Sequence, residues 1–248
     1  MKRFEGQKIV ITGGSGGIGL ATAARIIEEG GEVLVTGTNE VKLNAAKAQI
    51  PGLRTLVNDA GDPEAVATLT SWIKDNFGQI HGLFLNAGYG VFIPHDQITA
   101  EAFDQQYNVN VRGPVLQVGA ISGLIADGGA VVLNTSVAQD LGMPGAVVYA
   151  STKGALRTVT RVLAAELAGR KIRVNAVSPG PISTGFFDRT GMSQEQINGM
   201  AEQIVARVPL GRFGTPEDVA AVASFLLSND AAFVTGSEYV VDGGMTEL

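Results

Sequence analysis

The sequence predicts an α/β fold, a doubly wound three-layer sandwich with a parallel sheet in the middle. Three observations carry this. Seven short runs of β-branched and apolar residues recur along the 248 residues. Stretches with helical periodicity separate them. The runs are continuously apolar instead of alternating, the pattern of strands buried on both faces.

In order, strands are expected at residues 8–12, 32–36, 53–57, 82–86, 130–135, 172–177 and 238–241. Helices are expected at 18–29, 40–49, 63–77, 100–111, 114–126, 149–167 and 216–227. Strand–helix alternation calls for parallel strands joined by right-handed crossovers, so helices cover both sheet faces. No linker, repeat or low-complexity tract interrupts the alternation, and one domain spanning residues 1–248 is expected. The long departure is 185–212, which holds Phe186, Phe187, Met192, Met200 and Val205 among polar residues. An excursion at a strand's carboxyl end suits a lid over a ligand crevice.

Composition narrows the function. A hydrophobic fraction of 45% supports a substantial core and argues against disorder. A net charge of −6, with no basic run after Lys2-Arg3, argues against a nucleic-acid or anionic-membrane surface. There is no cysteine, so disulfide and thiolate chemistry are excluded, and two histidines without cysteine give no zinc set. No metal is expected. The N-terminus does not read as a secretory signal, and no stretch approaches a membrane span, so a soluble cytoplasmic protein is expected.

The first strand runs into Thr12-Gly13-Gly14-Ser15-Gly16-Gly17-Ile18-Gly19 and then directly into a helix. Glycines let backbone N–H groups approach a pyrophosphate, and the helix N-terminus adds orphan donors and partial positive charge. The spacing is Thr-Gly-x-x-x-Gly-x-Gly. It is neither the common G-x-G-x-x-G fingerprint nor a P-loop, since no Gly-Lys-Ser or Gly-Lys-Thr follows.

Tyr149 and Lys153 stand four apart in Tyr149-Ala150-Ser151-Thr152-Lys153, with Ser136 a short way upstream. Residues i and i+4 share a helix face. An ammonium beside a phenol favours the ionised form and lowers the phenol's pKa, which suits Tyr149 to exchange a proton with a carbonyl or alcohol.

The glycine loop, Asn86-Ala87-Gly88 after the fourth strand, Asn110, Ser136, Tyr149/Lys153, Pro179-Gly180 and the ending Val241-Asp242-Gly243-Gly244 come in one order. Together they resemble the classical short-chain dehydrogenase/reductase family across essentially the whole chain. The resemblance implies a Rossmann-type sheet of seven parallel strands and hydride transfer between a nicotinamide and a ketone or secondary alcohol. It implies that Tyr149 passes the proton, that Lys153 lowers its pKa and holds the nicotinamide ribose, and that Ser136 orients the substrate oxygen. Asn110 would hold a water leading from Lys153 to solvent. Gly13, Ser15, Gly16, Gly17, Ile18 and Gly19 would cradle the phosphates, and Asp59 with Ala60 would meet the adenine. Asn86, Ala87, Gly88, Pro179, Gly180, Ile182 and Thr184 would line the rest of the dinucleotide, with Thr184 on the carboxamide.

An acidic residue at the end of the second strand selects NAD by bonding the ribose 2′-OH. Here Gly37-Thr38-Asn39 follows that strand, and Glu40 is expected to open the next helix with Thr38 or Asn39 as N-cap. The missing carboxylate leans toward NADP, its 2′-phosphate taking Thr38, Asn39 and Ser15 as donors; NAD stays open, because no arginine stands at Thr38 or in the glycine loop.

Val137, Ala138, Gln139, Leu141 and Met143, with Tyr89, Phe186 and Phe187, are expected around the substrate. No arginine cluster marks the pocket, which favours a small uncharged carbonyl or alcohol. His81 is read as structural and His95 as solvated. Relatives are tetramers, and the small residues of 114–126 and 149–167 suit helix packing between subunits. A ketoacyl-thioester reductase of fatty acid synthesis and a non-catalytic dinucleotide-binding sensor are the alternatives. Gly16 departs from the basic residue that such reductases usually carry in the glycine loop. A sensor would not need Ser136, Tyr149 and Lys153 together. An epimerase or dehydratase would be longer.

Overall fold

The computed structural model describes residues 2–184 and 194–248, so Phe186, Phe187 and Met192 lie outside the described residues, as does the Met200 side chain. Seven parallel strands form one sheet in the order β3-β2-β1-β4-β5-β6-β7. They are β1 (Lys8–Ile11), β2 (Glu32–Gly37), β3 (Arg54–Val57), β4 (Ile80–Leu85), β5 (Ile125–Asn134), β6 (Arg173–Pro179) and β7 (Glu238–Val241).

Alternation along each strand divides the core. Ile9, Ile11, Val33, Val35 and Phe84 face one side and pack with Ile26 of α1 (Gly17–Glu28) and Val219 and Leu226 of α8 (Pro216–Leu227). Val10, Leu34, Leu83 and Leu85 face the other side. There they pack with Leu69 and Ile73 of α3 (Pro63–Asn76), Ile121 of α5 (Gly113–Ile121) and Leu156 of α6 (Val147–Leu167). Each such side chain, fully withdrawn from water, contributes about 1.5–3 kcal/mol. Capping fixes where helices begin. Asn39 accepts from the Lys42 N–H at the start of α2 (Glu40–Gln49), and Thr215 and Asp218 form a capping box on α8.

Three differences from the sequence expectation have physical causes. The helices expected at 100–111 and 114–126 join: α4 (Ala100–Tyr107) passes through a π-helical segment, Asn108–Arg112, into α5. Pro114, which has no N–H to continue the ladder, follows directly on the π-helical segment, whose last bond runs from the Gly113 N–H to the Asn108 carbonyl. Residues 125–126 belong to β5 instead of a helix; Ile125 pairs with Ile80 across a register shift that carries the polar Asp127-Gly128-Gly129. Finally, α7 (Gln194–Val205) occupies part of the expected lid.

The strand order reverses between β1 and β4, which pair in parallel next to β2. The carboxyl ends of the strands at such a switch point are where ligands of open α/β sheets bind.

Candidate active site

The glycine loop spans the carboxyl end of β1 and the start of α1. Gly13 has φ +66°, and a Cβ there would stand 2.7 Å from Ala87 Cα. A Cβ on Gly19 would stand 2.6 Å from the Gly13 carbonyl oxygen. Both glycines are therefore required by close backbone packing. Gly16 differs: a Cβ on it would meet no atom within 4 Å. No side chain caps α1 and its first turn holds no acidic residue, so its leading N–H groups stay available to an anion. Ser15 lies alongside; its Oγ would be 3.2 Å from a Cβ on Gly37.

Asn86 ties β4 to this loop. Its Nδ2 donates to the Thr12 carbonyl (3.0 Å) and the Gly13 carbonyl (2.9 Å), while the Asn86 and Ala87 N–H groups both donate to Thr12 Oγ1 at 3.1 Å. Asn134, at the end of β5, then donates through Nδ2 to Asn86 Oδ1 at 3.0 Å. Sequence reasoning missed Asn134; its only signal was its position two residues before Ser136.

Tyr149 and Lys153 lie on α6, with Ser136 at the turn after β5. The Ser136 hydroxyl lies near enough to the Tyr149 phenol to favour the phenol's ionised form. Lys153 is 4% exposed, and its ammonium donates to the Asn134 carbonyl at 2.8 Å while lying 5.6 Å from the Tyr149 ring centroid. Burial pulls the Lys153 pKa down to about 8. The Tyr149 phenol does not show the expected depression. Burial pushes its pKa above the ordinary value, and the nearby Ser136 hydroxyl opposes that only in part. Withdrawal from water thus outweighs the effect of the Ser136 hydroxyl.

Asn110 is fully buried in the π-helical segment, a backbone form frequent at functional sites. Its carboxamide accepts from the Tyr89 N–H (3.0 Å) and donates to the Tyr89 carbonyl (2.8 Å) and Thr152 Oγ1 (3.1 Å). Gly88 lies beside it: a Cβ there would stand 3.0 Å from Asn110 Oδ1 and 3.4 Å from Lys153 Nζ.

The remaining positions arrange around this line. Pro179 ends β6, and Gly180 packs so closely on Asp242 that a Cβ would stand 2.5 Å from the Asp242 Cβ. Ile182 bridges to Gly214, and Thr184 reaches the glycine loop, its Cγ2 3.4 Å from a Cβ on Gly17. Thr38 is exposed, and Asp59 Oδ1 accepts from the Gly61 N–H at 2.8 Å beside the buried Ala60. Val137 is buried and Met143 partly so. Gln139 is turned to β7, its Nε2 donating to both Glu238 oxygens at 2.9 Å. His81 is structural, its Nδ1 accepting from the Lys8 N–H at 3.0 Å.

Residues 13–246 match the family model described as enoyl-(acyl carrier protein) reductase. The chain belongs to the short-chain dehydrogenase/reductase family. It is 36% identical over 260 residues to 2-(S)-hydroxypropyl-CoM dehydrogenase 3 of Xanthobacter autotrophicus, covering 99% of both chains. The levodione reductase structure superposes with a TM-score of 0.93 at 32% identity, covering 98% of each chain. A putative betaketoacyl-ACP reductase gives 0.87 at 37% identity, over 99% of this chain and 100% of that one. Short-chain dehydrogenase/reductases are nicotinamide-dependent oxidoreductases, so this chain is an oxidoreductase by family. Among the described residues no helix is long and apolar enough to cross a membrane.

Proposed function

We propose that this protein transfers a hydride between NAD(P) and a small uncharged ketone or secondary alcohol, with Tyr149 as the general acid and base. The observation that carries the reading is the buried Lys153, one helical turn from Tyr149 and tied through Asn134 and Asn86 to the glycine loop, with the Ser136 hydroxyl near the phenol.

The residues fit a dinucleotide. The uncapped start of α1 suits the pyrophosphate, open space at Gly16 leaves it room, and Thr184 lies beside the loop at Gly17. When bound, the nicotinamide supplies or accepts the hydride. The chain handles the proton. Ser136 donates to the substrate oxygen and orients it. The Tyr149 phenol, its pKa pushed above an already alkaline ordinary value, is protonated at neutral pH, which is the form a reduction needs. As the carbonyl carbon gains hydride, Tyr149 gives its proton to the developing alkoxide; the reverse reaction returns that proton to the phenolate. The Lys153 ammonium stabilises the phenolate left behind.

The cofactor preference leans to NADP. Gly37 ends β2, Thr38 and Asn39 follow it with no carboxylate, and Glu40 lies in the first turn of α2. Asn39 spends its oxygen on the Lys42 N–H, which leaves its amide NH2 for a 2′-phosphate. We also infer a homotetramer from the exposed Val115 and Leu116 of α5 and Val147 and Val162 of α6; a monomer mass in solution would refute it.

A ketoacyl-thioester reductase is the second reading, favoured by the likeness to the putative betaketoacyl-ACP reductase. A screen at the nicotinamide absorbance, running both cofactors against simple ketones, secondary alcohols and a ketoacyl thioester, separates them. The leading reading expects turnover of simple ketones with NADPH above NADH. Turnover confined to the thioester would install the second reading, and no turnover with any of them would remove both.

A further inference from the structure

Residues 86–94 have no regular secondary structure, yet 89–93 are held like a strand. Tyr89 exchanges N–H and C=O bonds with the Asn110 carboxamide (3.0 and 2.8 Å). Val91 does the same with Gln106: its N–H donates to Gln106 Oε1 at 3.1 Å, and its carbonyl accepts from Gln106 Nε2 at 3.4 Å. The Ile93 N–H donates to the Gly145 carbonyl at 2.9 Å. Residues 89, 91 and 93 thus point their backbone groups to anchors. The intervening pair faces Tyr149, as the two-residue period of an extended chain dictates. A Cβ on Gly90 would stand 2.8 Å from Tyr149 Cδ2 and 3.0 Å from Cγ, and the Phe92 ring lies 6.0 Å from the Tyr149 ring, tilted by 50°.

Gln106 is 1% exposed, whereas Val91 and Phe92 are 45% and 40% exposed. A buried carboxamide on α4 therefore fastens a segment whose outer side faces solvent. Nothing in the expected site explains a glutamine there. An apolar residue would fill the space without desolvating a polar group, so the retained amide points to the peptide it grips.

We propose that Gln106 is a positioning residue, which clamps the Val91 peptide so that the Gly90 backbone lies against the Tyr149 ring and fixes the phenol beside Ser136. The inference rests on the assignment of Tyr149 as the proton carrier. Gln106 is buried, and it acts through the 89–93 segment. A loosened segment frees the Tyr149 ring on one face, and small misplacement of a proton donor lowers turnover steeply.

The test compares the whole enzyme with Gln106→Met, which keeps the volume and removes the polar atoms, and with Gly90→Ala. The readouts are kcat and KM for NADPH and for the best ketone of the screen, and hydrogen exchange at the Val91 amide. Gln106→Met should lose Val91 protection and lower kcat about tenfold or more with KM for NADPH unchanged. Gly90→Ala should keep Val91 protection and still lower kcat, because its methyl displaces the ring. Unchanged exchange at Val91 in Gln106→Met overturns the clamp without reference to activity. Lost protection with wild-type kcat overturns its link to Tyr149, as does a wild-type kcat in Gly90→Ala. If Tyr149→Phe retains full turnover, the parent reading fails instead, and the exchange result still decides the clamp.

Discussion

The Lys153 ammonium donates to the backbone carbonyl of Asn134 at 2.8 Å. Asn134 also holds Asn86 through its side chain, and Asn86 holds the Gly13 carbonyl. One hydrogen-bonded line therefore connects the cation at the proton-transfer end with the loop at the phosphate end. The two halves of the site are set relative to each other by β1, β4 and β5 lying side by side.

Burying that cation has a measurable consequence. The Lys153 pKa falls to about 8 in the folded protein from an ordinary value of 10.5. Between those pH values the unfolded chain binds the proton and the folded protein does not, so stability rises with pH across the window. The full burial cost is present below about pH 8. Over pH 8–10 the rise from this group is on the order of 2–3 kcal/mol. Above pH 10 the raised Tyr149 and Tyr89 pKa values act the other way. Urea denaturation across pH 8–10 should show the rise in the wild type and lose it in Lys153→Met; parallel profiles would contradict the assignment.

His81 gives the opposite limb. Burial, helped by the charge of Lys8, lowers its pKa below 6.5, and its Nδ1 needs to stay unprotonated to accept from the Lys8 N–H. As pH falls below 6.5 the unfolded chain takes up the proton first, so stability is lost. His81→Asn keeps an acceptor and cannot titrate. Its unfolding midpoint should fall less than the wild type's between pH 7 and 5. An equal fall in both would remove His81 from the acid limb.

Thr38→Asp places a carboxylate at the end of β2, beside the exposed Asn39. It should repel a 2′-phosphate and accept from a 2′-hydroxyl, swinging the NADPH-to-NADH ratio of kcat/KM toward NADH by tenfold or more, roughly 1.4 kcal/mol. Steady-state rates with both cofactors check it, and an unchanged ratio would contradict the NADP preference.

Much of this was legible in the sequence because it is local. Apolar runs marked the central strands, and the Gly13–Gly19 spacing marked the strand-to-helix loop. The Tyr149/Lys153 interval placed both side chains on one helix face. What stayed hidden depends on distant partners. Gln106 and Asn134 look like ordinary polar residues until Val91 and Asn86 are brought to them. The direction of the Tyr149 pKa was misjudged for a related reason. Spacing reveals a nearby ammonium, but burial by the 89–93 segment and the Ser136 turn appears only in three dimensions. The π-helical segment at Asn108–Arg112 was obscured by Gly113-Pro114, which reads as a break and instead starts the first turn of α5.

The central claim is that Tyr149 carries the proton. Its most direct test is Tyr149→Phe, with steady-state turnover and dinucleotide affinity measured on the same preparation. The phenyl ring keeps the packing under Gly90 and Phe92, so dinucleotide affinity should stay within about threefold while kcat drops by roughly 10²–10⁴. A variant that binds the dinucleotide and turns over at the wild-type rate would contradict the claim.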